Sequence, residues 1–218
     1  MQLLQEAAQT KAAIIVLCTP NNPTGNATPL EQIETLVTNT SALVVVDEAY
    51  IEFGGTSCAA LIEQYPNLIV LRTFSKAFGL AGLRVGYLMA SPLVINELLR
   101  IKQPFNVNQY SQLAAQMVLQ HRDLLLAQVG QILENRKILE KNMTAIKGLT
   151  LYPTQTNFIL FRTSLPANTV YEGLLAQGVL IRNVSGLALE NCLRVTVGTR
   201  EENSYFLEKL KTVLAKNG

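Results

Sequence analysis

Short apolar runs, separated by polar segments rich in Pro and Gly, dominate the first half of the chain. Runs of this length predict buried β-strands, and the amphipathic segments that follow some of them predict helices. The predicted strands cover residues 13–18, 42–46, 67–73 and 85–90, and the predicted helices cover residues 28–37 and 91–100. Because strands and helices alternate, we expect an α/β fold built on a mostly parallel sheet.

The second half of the chain begins with a long helical pattern and then changes character. Leucine and isoleucine recur at helical spacing from residue 111 to residue 147, with a break near His121 and an end at Gly148. The pattern then predicts strands at residues 149–152, 157–162, 179–182 and 192–197, and helices at residues 168–177 and 200–215. This last part therefore predicts a small α+β domain.

Two helix starts carry the capping-box pattern, in which a hydroxyl and an acidic side chain three residues later each bond a free backbone N–H. The first pair is Thr28 and Glu31, with Pro29 at the first helical position, and the second pair is Thr199 and Glu202. Residues 1–10 have the pattern of the tail of a further helix.

Composition narrows the class of protein without indicating a reaction. The 218 residues are 49% hydrophobic with a net charge of +2, which allows a buried core but gives no electrostatic footprint for nucleic acid. No apolar run reaches the ~18 residues of a membrane span. The three cysteines show no metal or disulfide spacing, so we expect a cytoplasmic protein. His121 is the only histidine, which argues against His-rich metal sites and Ser-His-Asp hydrolases.

Polar residues follow each of the first three predicted strands. The first strand leads into a tight turn that contains Asn22. The second is followed by Asp47, and the third ends in Thr73, shortly before Lys76. Because the carboxyl ends of parallel strands share one edge of a sheet, where open α/β sheets bind ligands, we expect these side chains to converge.

The segment around Lys76 combines an amine, two hydroxyls and a guanidinium. A lysine in a small-residue turn after a buried strand is expected to be poorly solvated, which lowers its pKa and favours the neutral amine that attacks carbonyls. Thr73, Ser75 and Arg84 suit a phosphate group. An aldehyde cofactor that carries a phosphate satisfies both requirements, and pyridoxal phosphate is such a cofactor. The alternative is a solvated loop lysine beside a surface arginine.

The remaining polar candidates each have two interpretations. Asp47 could pair with a protonated pyridine nitrogen, with Tyr50 near the ring hydroxyl, or it could cap a turn. Asn22 could present its amide to a ligand or bond the backbone of its own turn. Arg182 and Arg194 lie in predicted strands, where an inward arginine binds an anion and an outward arginine protects a sheet edge. The strand pattern alone favours the outward orientation for both.

Four motifs occur in an order and at separations that match one enzyme family. They are Asn21-Asn22-Pro23-Thr24-Gly25, Asp47-Glu48-Ala49-Tyr50, Thr73-Phe74-Ser75-Lys76 with Arg84, and Arg194-Val195-Thr196-Val197-Gly198. With them the chain resembles, over essentially its whole length, the fold-type I, pyridoxal-phosphate-dependent aminotransferases of classes I and II. Within that family it is most similar to the histidinol-phosphate aminotransferase group.

The resemblance implies an aspartate-aminotransferase-like fold. Residues 1–108 would form the C-terminal part of the large cofactor-binding domain, residues 109–147 the connecting helices, and residues 148–218 the small α+β domain. Because the chain begins just before the strand that leads to Asn22, we expect a truncated aminotransferase that binds its cofactor weakly or not at all.

The resemblance also implies a role for each candidate at the cofactor. Lys76 would hold pyridoxal phosphate as a Schiff base and move a proton at the substrate carbon. Asp47 would pair with the pyridine nitrogen, while Asn22 and Tyr50 would hydrogen-bond the ring oxygen. The cofactor phosphate would be bound by Thr73, Ser75 and Arg84.

The implied reaction belongs to histidine biosynthesis and transfers an amino group from histidinol phosphate to 2-oxoglutarate. Arg194, assisted by Arg182, would bind the anionic group of the substrate, and Asn157 would lie near the substrate or cofactor. The family further implies a homodimer whose partners are a small-molecule amino donor and a 2-oxo acid, with neither nucleic acid nor membrane. The alternatives are an aromatic aminotransferase, a phosphothreonine decarboxylase, or an inactive fragment with only a binding role.

Overall fold

The computed structural model describes residues 6–7, 9 and 11–217. The backbone forms two compact units. The first unit comprises residues 1–20 and 27–126, and the second unit comprises residues 21–26 and 127–218. The helix expected over residues 1–10 falls largely outside the described residues. The domain limits expected after residues 108 and 147 stay a prediction.

A four-stranded sheet forms the first unit's centre. Its strands are β1 (Ile14–Cys18), β2 (Leu43–Asp47), β3 (Leu68–Thr73) and β4 (Gly86–Ala90), in the order β1-β2-β3-β4. The pairings β1–β2 and β2–β3 are parallel, and β3–β4 is antiparallel. The prediction of a mostly parallel sheet is therefore confirmed.

The helices of the first unit follow the predicted order. They are α1 (Leu30–Thr38), α2 (Pro92–Ile101), α3 (Gln109–Gln120) and the start of α4 (Arg122–Thr144), with 3₁₀ turns at Ile51–Phe53, Ala59–Glu63 and Ala81–Leu83. Helix α1 buries Ile33, Leu36 and Val37, which recur at helical spacing, in the same core as Val44 and Val70 of the sheet. The predicted break of the long helical region at His121 is confirmed.

The second unit contains an antiparallel sheet with the order β5-β6-β8-β7. Its strands are β5 (Leu149–Leu151), β6 (Phe158–Thr163), β7 (Arg182–Asn183) and β8 (Cys192–Thr196), and its helices are the rest of α4, α5 (Ala167–Leu175) and α6 (Arg200–Asn217). The core joins α5 and α6 to the sheet through residues such as Val170, Leu210, Ile159 and Leu193. The expected α+β architecture is confirmed, but the strand predicted at residues 179–182 is wrong except at Arg182, because β7 comprises only Arg182–Asn183.

One of the two predicted capping boxes is wrong. Pro29 is the N-cap of α1 without a side-chain cap, and the Thr28 N–H donates instead to the Thr19 hydroxyl at 2.8 Å. The second box is confirmed, because Thr199 N–H donates to Glu202 Oε2 at 2.7 Å and Glu202 N–H donates to Thr199 Oγ1 at 3.2 Å. The difference arises because the chain before α1 bonds the end of β1 rather than the helix.

Over residues 6–7, 9 and 11–217, no helix has both the length and the apolar character needed to cross a bilayer. Over the same residues, no group of three or more His, Cys, Asp or Glu side chains is arranged to hold a metal ion.

Candidate active site

The carboxyl ends of β1, β2 and β3 lie side by side at one edge of the first sheet. Cys18 pairs with Asp47, and Asp47 pairs with Leu71, so the three strands run in register to this edge. The ladder continues one step further, because the Glu48 N–H donates to the Leu71 carbonyl at 2.9 Å. The edge thus carries Asp47 from β2 and Thr73 from β3, in the position where parallel sheets bind ligands.

Asp47, Tyr50 and Lys76 belong to this edge of the first unit. Asp47 Oδ1 accepts a hydrogen bond from the Ala49 N–H at 3.0 Å, which is the turn-capping interaction left open by the sequence. A carboxylate has about four acceptor sites, so this bond leaves capacity for a ligand. Tyr50 is buried, and Lys76 Nζ lies 5.3 Å from the centroid of its ring.

Lys76 is exposed, so the expectation of a poorly solvated lysine is wrong for this structure. The turn that carries it is open, because a Cβ added at Gly79 would meet no atom within 4 Å. Desolvation by the protein therefore gives no support to the assignment of Lys76. The support comes from its position beside Tyr50.

The residues proposed to bind a phosphate lie between the last residue of β3 and the start of β4. Thr73 Oγ1 accepts a hydrogen bond from the Ser75 N–H at 3.0 Å. Arg84 is exposed, and its Nη1 donates to the Ala81 carbonyl at 3.0 Å. Its backbone is left-handed (φ 55°, ψ 43°), which is uncommon for a residue with a side chain. Such a conformation is often retained at binding sites.

The sequence reasoning missed an anchor for the segment that leads to Arg84. Ser111 is fully buried at the start of α3, and its hydroxyl donates to the Leu83 carbonyl at 2.9 Å. Asn108 caps the helix, because its Oδ1 accepts from the Ser111 N–H at 2.9 Å. The residue preceding Arg84 is therefore tied to a helix terminus, a long-range contact that no local pattern indicates.

An ion pair between a buried carboxylate and a partly exposed arginine, beside the candidate site, was also missed. The Glu48 carboxylate, 1% exposed as a residue, accepts from Arg72 Nε at 3.0 Å and from Arg72 Nη2 at 2.9 Å. It also accepts from the Ser57 hydroxyl at 2.8 Å and the Cys58 N–H at 2.7 Å. The only sequence signal was an arginine inside the apolar run of β3.

The ion pair changes the acid–base properties of its neighbours. Burial, together with the adjacent Glu48 carboxylate, raises the pKa of the Cys58 thiol to about 12. Burial by itself would lower the pKa of Arg72, but the charge and hydrogen bonds of Glu48, together with Tyr87, raise it, so the pKa of Arg72 is raised overall. Arg72 is therefore cationic and Cys58 is an uncharged thiol at neutral pH.

Asn22 and Arg194 meet within the second unit. Arg194 Nη1 donates to Asn22 Oδ1 in a short hydrogen bond. The guanidinium carbon of Arg194 lies 4.6 Å from the ring centroid of Phe158 on β6, a cation–π contact. Arg194 Nε is buried without a hydrogen-bond partner among the described residues. The side chain is half-buried, not directed fully outward as the strand pattern alone favoured.

Arg182 lies directly opposite Arg194 on the neighbouring strand. The two residues are register partners on β7 and β8, so their side chains share one face of the sheet. Both line a cavity of about 440 Å³, together with Tyr171, Leu180, Ile181, Asn183 and Thr196. Asn157 is half-buried before β6, and its carbonyl accepts from the Val197 N–H at 2.9 Å. Two facing arginines offer a site for an anion.

The chain matches the family Aminotransferase class I and II over residues 1–210. It is 44% identical, over 213 residues, to a histidinol-phosphate aminotransferase of Chlorobium limicola. That alignment covers 97% of this chain and 60% of the relative. The chain therefore spans about three-fifths of the length of this curated relative.

Solved structures share the fold at lower identity. A histidinol-phosphate aminotransferase from Sinorhizobium meliloti, in complex with pyridoxal-5'-phosphate, superposes with a TM-score of 0.90 at 27% identity. The match covers 99% of this chain and 61% of that one. An L-threonine-O-3-phosphate decarboxylase from Porphyromonas gingivalis superposes with a TM-score of 0.86 at 26% identity, covering 94% of this chain and 66% of that one.

Proposed function

This chain belongs to the class I and II aminotransferase family. We propose that it binds pyridoxal phosphate and acts as a histidinol-phosphate transaminase. The reaction converts histidinol phosphate and 2-oxoglutarate into imidazole acetol phosphate and glutamate. The observation that carries the proposal is the group of Asp47, Tyr50 and Lys76 at one sheet edge, in a chain 44% identical to a histidinol-phosphate aminotransferase.

The chemistry of the edge fits the cofactor. Asp47 provides a carboxylate for a protonated ring nitrogen, and Tyr50 provides a phenol beside the Lys76 amine, 5.3 Å from its ring centroid. Thr73 and Ser75 each provide a hydroxyl, and the Thr73 hydroxyl oxygen accepts a hydrogen bond from the Ser75 backbone N–H at 3.0 Å. Together with the Arg84 guanidinium they would bind the cofactor phosphate, because the planar guanidinium donors match the geometry of phosphate oxygens.

Each residue has a defined task in the proposed reaction. When bound, pyridoxal phosphate supplies an electron-accepting ring that stabilises negative charge at the substrate carbon. The Lys76 amine anchors the cofactor and moves the proton at that carbon, a general acid–base task. The Asp47 carboxylate keeps the proton on the ring nitrogen, and Tyr50 hydrogen-bonds the ring oxygen.

Arg194 and Arg182 are proposed to bind the substrate phosphate. Two like charges on one sheet face repel each other, and a dianion removes that repulsion. The cavity of about 440 Å³ beside them is large enough for a small ligand. Asn157, in the same unit, is proposed as a further polar residue near the substrate.

We also propose that the protein acts as a homodimer. Large apolar side chains of the first unit are exposed, among them Leu93, Ile101, Phe105 and Tyr110. Exposed apolar surface of this kind is typical of an association surface. Sedimentation would test the assignment.

Visible absorbance tests cofactor binding directly. The purified chain is titrated with pyridoxal phosphate beside Lys76→Ala and a matched control, Lys102→Ala, which removes an exposed lysine of the same unit. A new visible band in the wild-type chain and the control, but not in Lys76→Ala, would support cofactor binding through Lys76 and would contradict the weak or absent binding expected from the sequence. Absence of the band from the wild-type chain would contradict cofactor binding by this chain on its own.

A second candidate is phosphothreonine decarboxylation, which the similarity to the Porphyromonas gingivalis enzyme favours, because the two arginines suit any phosphate monoester. Assays with histidinol phosphate, threonine phosphate and phenylalanine separate this candidate, the proposed reaction and an aromatic aminotransferase. Complementation of a histidine auxotroph, with and without an added N-terminal segment from a relative, distinguishes an active enzyme from a fragment with only a binding role.

A further inference from the structure

Glu48 and Arg72 lie directly beside two residues assigned to the cofactor. Glu48 follows Asp47 at the end of β2, and Arg72 precedes Thr73 at the end of β3. We propose that this ion pair is a positioning clamp, which holds the Asp47 and Thr73 side chains in the geometry that the cofactor needs. The proposal rests on the proposed function and adds two residues that do not themselves touch the cofactor.

The hydrogen bonds of Glu48 give the clamp its rigidity. Its carboxylate receives four of them, two from the Arg72 guanidinium, one from the Ser57 hydroxyl and one from the Cys58 N–H, all between 2.7 and 3.0 Å. Arg72 Nη2 also donates to Ser57 Oγ at 2.8 Å. A buried carboxylate with this many charge-assisted bonds has a single orientation, because any other leaves donors unpaired.

The clamp acts on its neighbours through strand geometry. Successive side chains of an extended strand point to opposite faces, so anchoring Arg72 on one face fixes the direction of Thr73 on the other. Glu48 is held twice, since its side chain bonds Arg72 and its N–H donates to the Leu71 carbonyl at 2.9 Å. The peptide that joins it to Asp47 is consequently fixed against β3.

Two backbone amides report the positions of these side chains without any cofactor. The Ala49 N–H donates to Asp47 Oδ1 and the Ser75 N–H donates to Thr73 Oγ1, each at 3.0 Å. If the clamp loosens, both bonds lengthen and both amides exchange faster with solvent deuterium. Residue-resolved hydrogen exchange at Ala49 and Ser75 therefore measures the proposed effect directly.

The experiment compares Glu48→Gln, Arg72→Gln and the double variant with Asn67→Ala. Asn67 lies just before β3 at the opposite end of the same strand, where its amide donates to the carbonyls of Val37, Thr40 and Ala42. Its loss destabilises the same sheet without touching the carboxyl edge. Exchange is compared in conditions where every variant is folded by circular dichroism.

We expect the Ala49 and Ser75 amides to exchange about tenfold faster in Glu48→Gln and in Arg72→Gln. The double variant should be no worse than either single variant, because the two residues act through each other. Asn67→Ala should leave both amides protected. Unchanged protection at both amides in Glu48→Gln, or equal loss in Asn67→Ala, would show a purely structural pair and overturn the proposal.

A pyridoxal phosphate titration of the same variants relates the clamp to the proposed function. We expect about tenfold weaker binding and a shifted visible absorbance maximum in Glu48→Gln, but not in Asn67→Ala. A wild-type chain without a Lys76-dependent band would count against the proposed function only, and amide exchange would still decide whether the clamp exists. Wild-type affinity and spectrum in Glu48→Gln would overturn the positioning role.

Discussion

The two units contain pairs of charged residues that differ in almost every respect. In the first unit, Glu48 and Arg72 have opposite charges, and Glu48 is buried with its carboxylate bonded to four donors. In the second unit, Arg182 and Arg194 have the same charge, face each other on β7 and β8, and leave Arg194 Nε without a partner among the described residues.

The difference distinguishes charged side chains that stabilise the fold from charged side chains that are available to bind a ligand. A carboxylate that already accepts four hydrogen bonds has no acceptor sites available for a substrate. Removal of that carboxylate leaves the guanidinium of its partner without a counter-charge. Two facing arginines repel each other, and Arg194 Nε has no hydrogen-bond partner among the described residues, so an anion would lower their electrostatic energy. This contrast supports the proposals that the first pair positions the cofactor residues and that the second pair binds an anion.

The largest loss of stability is expected from Glu48→Ala, which should lower the free energy of unfolding by about 3–5 kcal/mol, because Arg72 loses its buried counter-charge. Urea unfolding measures the loss. Glu97→Ala is the matched control, since Glu97 and Arg100 form an ion pair that is exposed on both sides, for which about 0–1 kcal/mol is expected. Equal losses would show that the Glu48 pair is an ordinary surface pair.

The reactivity of the Cys58 thiol measures how far the surroundings of the Glu48–Arg72 pair exclude water. With a pKa of about 12 against an ordinary 9.0, its thiolate population at pH 8 is reduced about 10³-fold, and alkylation by iodoacetamide should slow accordingly. Because the folded pKa is the higher one, the thiol's contribution to stability is complete below pH 9 and is lost as pH rises towards about 12. Peptide mass spectrometry measures the rate, and native Cys58 reacting as fast as in urea would contradict the prediction.

Gly25→Ala should disturb the support of the second pair, since Gly25 lies in the turn that carries Asn22, the partner of Arg194. A Cβ there would approach Thr154 Oγ1 to 2.5 Å, and the backbone has a φ of +81°. We expect a loss of about 1–3 kcal/mol in urea unfolding. Gly186→Ala, where a Cβ would meet nothing within 4 Å, is the control and should change stability by no more than about 0.5 kcal/mol.

The smallest expected effect is a gain in stability. Arg182→Gln removes the repulsion with Arg194 and should stabilise the ligand-free chain by about 0.2–1 kcal/mol while weakening inorganic phosphate binding. Thermal unfolding with and without phosphate measures both. Arg162→Gln, an exposed arginine of β6 in the same sheet, should do neither. A loss of stability in Arg182→Gln would mean that the second pair, too, is structural.

The elements could be predicted because burial imposes a pattern along the chain. Strands β1 to β4 lie almost where the apolar runs placed them, and the capping box at Thr199 and Glu202 formed because both partners are three residues apart. The box predicted at Thr28 failed, since its backbone N–H bonds Thr19, nine residues earlier. A local pattern cannot indicate when a distant partner competes for the same group.

The candidate residues show the same limit. Asp47, Thr73, Ser75 and Lys76 could be proposed from polar residues at strand ends and from family motifs, but the exposure of Lys76 could not, because solvation depends on which segments cover the turn. The anchoring of Leu83 by Ser111 was equally invisible, since it joins residues 28 positions apart.

Apolar periodicity and short motifs are properties of neighbouring residues, so most strands and helices, the family and the polar residues at the strand ends could be predicted from the chain alone. The pairing of the charges could not, because it depends on the tertiary structure. Glu48 and Arg72 are 24 positions apart, and Asn22 and Arg194 are 172 apart, so each pairing depends on strand register and chain path. Register is the sum of many weak contacts across a sheet, and no single stretch of sequence contains it.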